Sequence, residues 1–232
     1  MDDEDFVELF VKDCKYYDKT NVELNTILSL VTFKSNDTII DIGAGIGRLA
    51  IPLSKHIKVT AIDTNKALLS HIKEPNTRII NGKIEKLNPI DKFDYDLIAW
   101  PGFNNYEEVL AHIKEKILKK TGKLIIVKSK QHDLKSITQK LFPELFGKEK
   151  GLLEVLPNFF EIEAEKIVWT EWVYPSFDEA LRLIIFELEA FYGKTISKSQ
   201  KPIVEHFIME HEKEGKIHLS ANLNVIICSP KK

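Results

Sequence analysis

The sequence has few cysteines and no feature that places it at a membrane. Its two cysteines, Cys14 and Cys228, stand far apart in 232 residues and in no metal-ligand spacing. This argues against a disulfide framework or a zinc site, and it favours a reducing cytoplasm. No apolar run approaches the roughly 18–20 residues of a transmembrane helix. The opening MDDED is the opposite of a basic signal peptide. We therefore expect a cytoplasmic protein with no metal and no membrane partner.

Positive charge is not in excess, and arginine is scarce. Lysine and arginine total 33 against 35 acidic residues, a net charge of −2, and only three of the cations are arginine. Such a chain lacks the overall positive field typical of obligate nucleic-acid binders, and bidentate phosphate recognition by arginine is limited. The exception is the lysine-rich segment 111–150, with 11 lysines against four acids. Solvated helix faces explain it most simply, and a local anionic partner is the alternative.

From residue 38 the chain alternates short apolar runs with amphipathic or turn segments. This alternation predicts βαβ units, and therefore a parallel sheet with helices on both faces. Two further apolar stretches follow in the second half of the chain. The predicted strands are Thr38–Ile42, Lys58–Ile62, Thr77–Ile80, Tyr95–Ala99, Lys123–Val127, 160–174 and 219–228.

Two capping boxes mark predicted helices outside this alternation. Thr20 with Glu23 three residues later predicts the start of the second of two N-terminal helices. Ser176 with Glu179 predicts the first of two helices between the last two strands.

The most informative segment is a glycine-rich loop between the first predicted strand and a predicted helix. Glycines stand at 43, 45 and 47, and Asp41 lies two residues ahead of the first. A dinucleotide fingerprint needs a glycine at the sixth position, which here is Arg48. A carboxylate at Asp41 would repel a pyrophosphate but not the ammonium group of an amino acid. The spacing therefore favours a ligand with an amino-acid moiety.

The segment Asp41-x-Gly43-x-Gly45-x-Gly47, with its continuation to Leu53, resembles the first motif of class I S-adenosylmethionine-dependent methyltransferases. The resemblance has motif support over 36–130. It implies an α/β fold with a doubly wound, mostly parallel sheet of seven strands in the order 3-2-1-4-5-7-6. It also implies S-adenosylmethionine as the cofactor. We expect one domain over 1–232, with N-terminal helices in 1–34 and a helical insertion in 175–215.

The resemblance implies a cofactor site in the loops that follow the first four strands. Asp63 would accept the ribose hydroxyls, unless it only caps the next helix. In the third loop Lys83 replaces the acid that takes the adenine amino group in the family, so Glu85 is the nearest substitute. The implied cofactor-binding residues are Asp41, Gly43, Ala44, Gly45, Asp63, Thr64, Ile84 and Trp100.

The loop after the fourth strand should face the methyl acceptor, because ligands bind beyond the carboxyl ends of parallel strands. Asn104, Tyr106 and Tyr16 are the predicted substrate contacts, and an N-cap at Asn104 or Asn105 is the alternative role for this loop. Methyltransferases that act on exocyclic base nitrogens resemble one another in an Asn/Asp-Pro-Pro-Tyr/Phe segment at this position. This loop lacks that segment. His132 is interpreted as a solvated loop residue, and no catalytic base is nominated.

Four functions remain open at this stage. The leading hypothesis is methyl transfer to a small-molecule nitrogen or oxygen nucleophile, held under 1–34 and 175–215. The alternatives are an RNA or protein methyltransferase, a non-catalytic protein that binds S-adenosylmethionine, and an NAD-binding protein. Only the lysines of 111–150 favour RNA, and Asp41 and Arg48 disfavour NAD.

Overall fold

The computed structural model describes residues 3–103, 105–145 and 151–232. The strands are β1 (Thr38–Ile42), β2 (Lys58–Asp63), β3 (Thr77–Asn81), β4 (Phe93–Ala99), β5 (Leu118–His132), β6 (Phe160–Tyr174), β7 (Glu212–Lys213) and β8 (Lys216–Pro230). The α-helices are α1 (Asp3–Cys14), α2 (Val22–Leu30), α3 (Ala50–Leu53), α4 (Lys66–Leu69), α5 (Tyr106–His112), α6 (Asp133–Leu141), α7 (Leu152–Val155), α8 (Phe177–Tyr192) and α9 (Lys201–Glu210).

The strands form one sheet in the order β3-β2-β1-β4-β5-β8-β6, with β7 paired to β8. The pairs β1–β2, β1–β4, β2–β3 and β4–β5 are parallel. The predicted α/β class and strand order are therefore confirmed, with β8 as the predicted seventh strand. The two-residue β7 was not predicted, because so short a strand leaves no apolar pattern in the sequence.

The chain divides into two compact units. The first, which we call the sheet unit, comprises Glu23–Lys128, Lys150–Val168 and Asn224–Lys232. The second, the helical unit, has its described residues within Met1–Val22, Ser129–Glu149 and Trp169–Leu223. The single-domain organisation over 1–232 stays a prediction.

The central strands of the sheet unit are buried on both faces, and one core cluster lies on the face that carries Ile40. Apolar side chains of β1, β4 and β5 are fully buried there, as expected for parallel strands that are covered by other elements. Helix α5 and the π-helical turn Ile113–Ile117 pack against them. Their buried members include Ile40, Ile98, Leu110, Ile113, Leu124 and Ile126.

The helical unit contains α1, α6, α8 and α9. Phe6 of α1 packs against Phe186 and Phe191, with ring centroids 5.6 and 6.4 Å apart. The predicted helices between the last two long strands are α8 and α9, and the Oγ of Ser176 accepts the N–H of Glu179 at 3.3 Å. No helix within the described ranges is long and apolar enough to cross a membrane.

The predicted N-cap of the second helix is wrong. Helix α2 begins at Val22, whose N–H donates to the carboxylate of Asp18 at 2.8 Å. A cap at Thr20 would start the helix at Asn21. Asp18 and Asn21 both have positive φ, and the helix starts one residue later. Glu23 is fully buried.

Candidate cofactor site

The glycine loop joins β1 to β2 through its backbone. Gly43, Gly45 and Gly47 have φ values of +76°, +55° and +82°, in the region that favours glycine. The N–H groups of Gly43 and Ala44 both donate to the carbonyl of Ile62, at 2.8 and 3.1 Å. Helix α3 behind the loop has only four residues. The binding capacity of the loop therefore comes from its shape rather than from a long helix dipole.

The first and third glycines meet different surroundings. A Cβ added to Gly43 would have no heavy atom within 4 Å, so a ligand can approach its backbone closely. A Cβ added to Gly47 would lie 2.7 Å from Cγ1 of Ile72, so this glycine serves the packing of the loop. The open surface at Gly43 is the feature that fits the cofactor implied by the sequence.

Asp63 ends β2 beside this loop. One carboxylate oxygen accepts the N–H of Gly45 and the other accepts the N–H of Asn65, both at 2.8 Å. A carboxylate offers about four acceptor positions, so each oxygen retains one that suits a ribose hydroxyl. The helix cap is Asn65, whose side chain accepts from Ala67 and Leu68, and not Asp63. The assignment of Asp63 to the ribose stays a prediction.

The loop after β3 is tied to the loop after β2. The amide of Asn81 donates to the carbonyls of Asp63 and Thr64, at 3.0 and 2.9 Å. The side chain of Ile84 is buried in the core of the sheet unit, and its backbone opens a short 3₁₀ turn. Asn81 thus fixes the backbone next to the predicted ribose site, a role that sequence pattern did not indicate.

Asp41 is almost fully buried at the end of β1. Burial raises the pKa of this carboxyl to about 7, while the charge of Arg48 and a backbone hydrogen bond from Ala50 lower it. The charges of Asp63 and Glu23 act in the raising direction. A carboxyl with this pKa changes charge near neutral pH, so its predicted contact with an ammonium group would depend on pH.

Trp100 follows β4 with a φ of +52°, which is uncommon for a residue other than glycine. Its backbone N–H donates to the carbonyl of Val127 at 2.8 Å, and its indole N–H donates to Oε1 of Glu23 at 2.7 Å. The other carboxylate oxygen of Glu23 lies 2.6 Å from a guanidinium nitrogen of Arg48. Glu23 therefore joins the glycine loop to the end of β4. Sequence analysis missed this role, because the capping box already accounted for an acid at this position.

The predicted acceptor residues have other partners in the structure. The hydroxyl of Tyr106 donates to the carbonyl of Pro101 at 3.2 Å. Asn105 caps α5 by accepting the N–H of Glu108 at 3.2 Å, which confirms one of the two alternatives for this loop. Asn104 lies outside the described residues. Tyr16 belongs to the helical unit, where its hydroxyl donates to Glu179 at 3.0 Å. Substrate contact by these residues stays a prediction.

His132 is not the solvated loop residue that the sequence suggested. It ends β5 in the helical unit and is half-buried. Burial, assisted by the charge of Lys135 and opposed by that of Asp133, lowers the pKa of His132 to about 4. The side chain is therefore neutral at physiological pH.

Comparison with known proteins identifies the family. The model of the GidB family, rRNA small subunit methyltransferase G, matches residues 20–146. A curated relative, ribosomal RNA small subunit methyltransferase G of Mycoplasmopsis pulmonis, is 32% identical over 111 aligned residues, which cover 40% of this chain and 49% of that protein. The chain thus spans about half the length of the curated relative it matches.

Solved structures share the fold at low sequence identity. A protein from Anaeromyxobacter dehalogenans, provisionally classed as a type II methyltransferase, has a TM-score of 0.60 at 14% identity, with 88% of this chain and 94% of that one covered. Geranyl diphosphate methyltransferase, solved with S-adenosylmethionine, has a TM-score of 0.55 at 14% identity, with 90% and 84% covered. At this identity the likeness shows the fold alone.

The comparisons confirm the family, cofactor and enzyme class that the sequence predicted and overturn the predicted partner. The resemblance to S-adenosylmethionine-dependent methyltransferases is confirmed by the family match, and with it the cofactor and the enzyme class. The predicted small-molecule acceptor is wrong, because the matched family and relative are named for ribosomal RNA, the acceptor that the sequence analysis kept only as an alternative. The chain belongs to the rRNA small subunit methyltransferase G family.

Proposed function

We propose that this chain transfers the methyl group of S-adenosylmethionine to a nucleotide of small-subunit ribosomal RNA. The observation that carries the proposal is the family match over 20–146, which includes the glycine loop, Asp63 and the loop after β4. The name of the Mycoplasmopsis pulmonis relative supports the same acceptor.

S-adenosylmethionine supplies an activated methyl group, and the protein's task is to orient it and exclude water. The open backbone at Gly43 suits close approach of the amino-acid end of the cofactor. Asp63, held by the N–H groups of Gly45 and Asn65, is oriented to accept ribose hydroxyls. Trp100, fixed by Glu23 and Val127, marks the end of β4 where the acceptor should arrive.

Charge is distributed unevenly between the two units. The sheet unit contains 20 lysine and arginine residues against 16 acids, whereas the helical unit contains 13 against 19. The near-zero total therefore conceals a sheet unit of net charge +4. A polyanion such as RNA is attracted to a local positive surface, whatever the overall charge of the chain.

The lysines of the sheet unit are divided between its two edges. Lys66, Lys83 and Lys86 are exposed and follow the carboxyl ends of β2 and β3, the edge that carries Asp63. Lys116 and Lys120 are exposed near the amino end of β5, which is parallel to β4, and so belong to the opposite edge. We assign RNA attraction to the first group rather than to the whole of 111–150.

Methylation of isolated ribosomal subunits tests the proposal. The chain is incubated with radiolabelled S-adenosylmethionine and with small or large subunits from cells that lack the protein. Label should enter the small-subunit RNA alone.

The triple variant K66E/K83E/K86E should lose RNA affinity and this loss should shrink with added salt. The matched control K58E/K116E/K120E reverses three exposed lysines at the amino edge and should keep its affinity. Absence of label in RNA from small subunits, or equal loss in both variants, would contradict the proposal.

Cofactor binding is a separate arm of the same proposal. S-adenosylhomocysteine should bind in calorimetry and NAD should not. Asp63→Ala should weaken S-adenosylhomocysteine binding at least tenfold, since hydrogen bonds to a charged acceptor are worth about 1.5–3 kcal/mol each. Asp91→Ala, which removes an exposed acid between β3 and β4, is the control and should bind normally. Unchanged affinity in Asp63→Ala would assign Asp63 to loop structure only.

A further inference from the structure

Glu23 is a fully buried carboxylate whose two oxygens serve two different groups of the sheet unit. Its side chain has no exposed surface, and Arg48 retains 25%. The guanidinium lies 2.6 Å from one oxygen, and the indole of Trp100 donates to the other at 2.7 Å. A buried charge needs such partners, because an uncompensated one is strongly destabilising.

The position of Arg48 gives this ion pair a consequence for the cofactor. Arg48 directly follows Gly47 of the glycine loop. The charges of Arg48, Glu23 and Asp63 all shift the pKa of Asp41. Among these four groups Arg48 is the single cation. Glu23 offsets its charge, so the carboxylate of Asp63, together with Asp41 in its ionised form, dominates the potential around the loop.

S-adenosylmethionine and S-adenosylhomocysteine differ in charge at the sulfur. The sulfonium of the first is positive, while the thioether of the second is neutral, and the rest of the two molecules differs only by the transferred methyl. A change in the charge of the loop therefore acts on the affinity of one ligand more than on the other.

We propose that Glu23 is a positioning residue that neutralises Arg48 and thereby sets the preference of the site for the sulfonium cofactor over the thioether product. The inference rests on the proposed function only in that it takes the glycine loop as the cofactor site. It deepens that function, because the same ion pair then governs how readily product leaves.

Glutamine is the informative substitution at position 23. Glu23→Gln keeps the length of the side chain and an oxygen that can accept from Trp100, but it removes the negative charge that lies 2.6 Å from the guanidinium of Arg48. A role confined to holding Trp100 predicts little change. The charge role predicts weaker binding of S-adenosylmethionine relative to S-adenosylhomocysteine.

Calorimetry with both ligands on four proteins tests the proposal: wild type, Glu23→Gln, Arg48→Gln and the double variant. The ratio of the dissociation constant for S-adenosylmethionine to that for S-adenosylhomocysteine should rise on the order of tenfold in Glu23→Gln. It should fall in Arg48→Gln, and the double variant should return to the wild-type ratio. Because the double variant buries no unpaired charge, it gives a result even where a single variant does not fold.

Two results would overturn the inference. One is an unchanged ratio in Glu23→Gln with both affinities reduced alike, as expected for a structural role alone. The other is a double variant whose ratio differs from wild type. These outcomes are distinct from failure of the proposed function, in which wild-type protein binds neither ligand or small-subunit RNA receives no label.

Discussion

Gly43 and Gly47 have almost the same backbone conformation but different neighbours. Both have positive φ, so alanine at either position bears the strain of about 1–2 kcal/mol of a left-handed residue. Only at Gly47 would the new methyl also collide with Ile72, at 2.7 Å. Alanine at Gly47 therefore tests the effect on folding stability, and alanine at Gly43 tests the effect on ligand binding.

We expect Gly47→Ala to lower the free energy of unfolding by about 1–3 kcal/mol more than Gly43→Ala, the usual cost of overpacking. Gly43→Ala should instead weaken S-adenosylhomocysteine binding by at least about tenfold, because its methyl occupies the open surface where the ligand approaches. Urea unfolding and calorimetry on both variants measure the two effects. Equal destabilisation with equal loss of binding would contradict this division of roles.

Sequence pattern predicts the residues of this site unequally. Asp41, the three glycines and Asp63 follow a local motif at strand ends, so their spacing alone places them together. Glu23 lies 25 positions before Arg48 and 77 before Trp100, and only the fold brings the three side chains into contact. The same is true of Asn81, whose partners are carbonyl groups that leave no mark in the sequence.

At the scale of elements, Asn105 illustrates how a polar residue near a site can have a structural role. Its side chain accepts the N–H of Glu108 and so caps α5, whose apolar face contributes Val109 and Leu110 to the core. Asn105→Ala should lower the free energy of unfolding by about 1 kcal/mol. Asn105→Asp should keep the cap and lose much less.

RNA methylation by the same two variants checks the assignment. Both should retain activity once the measurement is made well below their unfolding temperatures. Loss of methylation in Asn105→Asp, at unchanged stability, would instead assign Asn105 to the acceptor.

Strand positions were predictable where the sequence carries a continuous apolar run, as in the buried β1, or alternating apolar residues, as in the largely exposed β6. Thr38–Ile42 and 160–174 agree with β1 and β6 at both ends. The fifth strand does not, since β5 runs over Leu118–His132 instead of Lys123–Val127. Its added residues are rich in lysine, and pairing with β4 shifts register between Phe93 and Tyr95. A polar strand end with an irregular register has no alternating pattern to detect.

At the scale of the whole molecule, overall charge misled the prediction of the partner. A net charge of −2 describes no part of this protein, because the sheet unit is positive and the helical unit negative. Salt screens the charges of a protein surface over roughly one Debye length, about 8 Å at physiological salt. An RNA therefore responds to the charges near its binding site rather than to the total. Only the division of the chain into units, which the sequence does not display, exposes that local balance.

Several buried carboxyl groups keep their protons to a higher pH in the folded protein than in the unfolded chain. Burial raises the pKa of Asp41 to about 7 and that of Asp13 to about 6, and it raises the pKa values of Asp96 and Glu187 well above the usual range. Asp96 lies between Ile40 and Leu124 in the sheet, and among the described residues its carboxyl oxygens have no hydrogen-bond partner. Burial therefore disfavours the charged form of each of these groups in the folded protein.

The sign of the resulting pH dependence follows from proton binding. Asp41 ordinarily has a pKa of 3.8, so between pH 4 and about 7 the unfolded chain has released a proton that the folded protein retains. Stability then falls as pH rises through this window. His132 acts in the opposite sense, because its lowered pKa makes stability rise with pH between about 4 and 6.5. It is one group against four, and two of the four, Asp13 and Glu187, belong to the helical unit as it does.

We therefore expect the free energy of unfolding to decrease as pH rises from about 5 to about 8. Asp41→Asn removes one titrating group while keeping the size of the side chain, so its stability should fall less steeply over the same range. Urea unfolding at four pH values gives both slopes, and Asp91→Asn, at an exposed acid, is the matched control with the wild-type slope. A wild-type stability that rises with pH would contradict the assignment of buried, protonated carboxyls. A slope in Asp41→Asn equal to that of Asp91→Asn would show that Asp41 is ionised in the folded protein, and its predicted contact with the cofactor's ammonium group would then not vary near neutral pH.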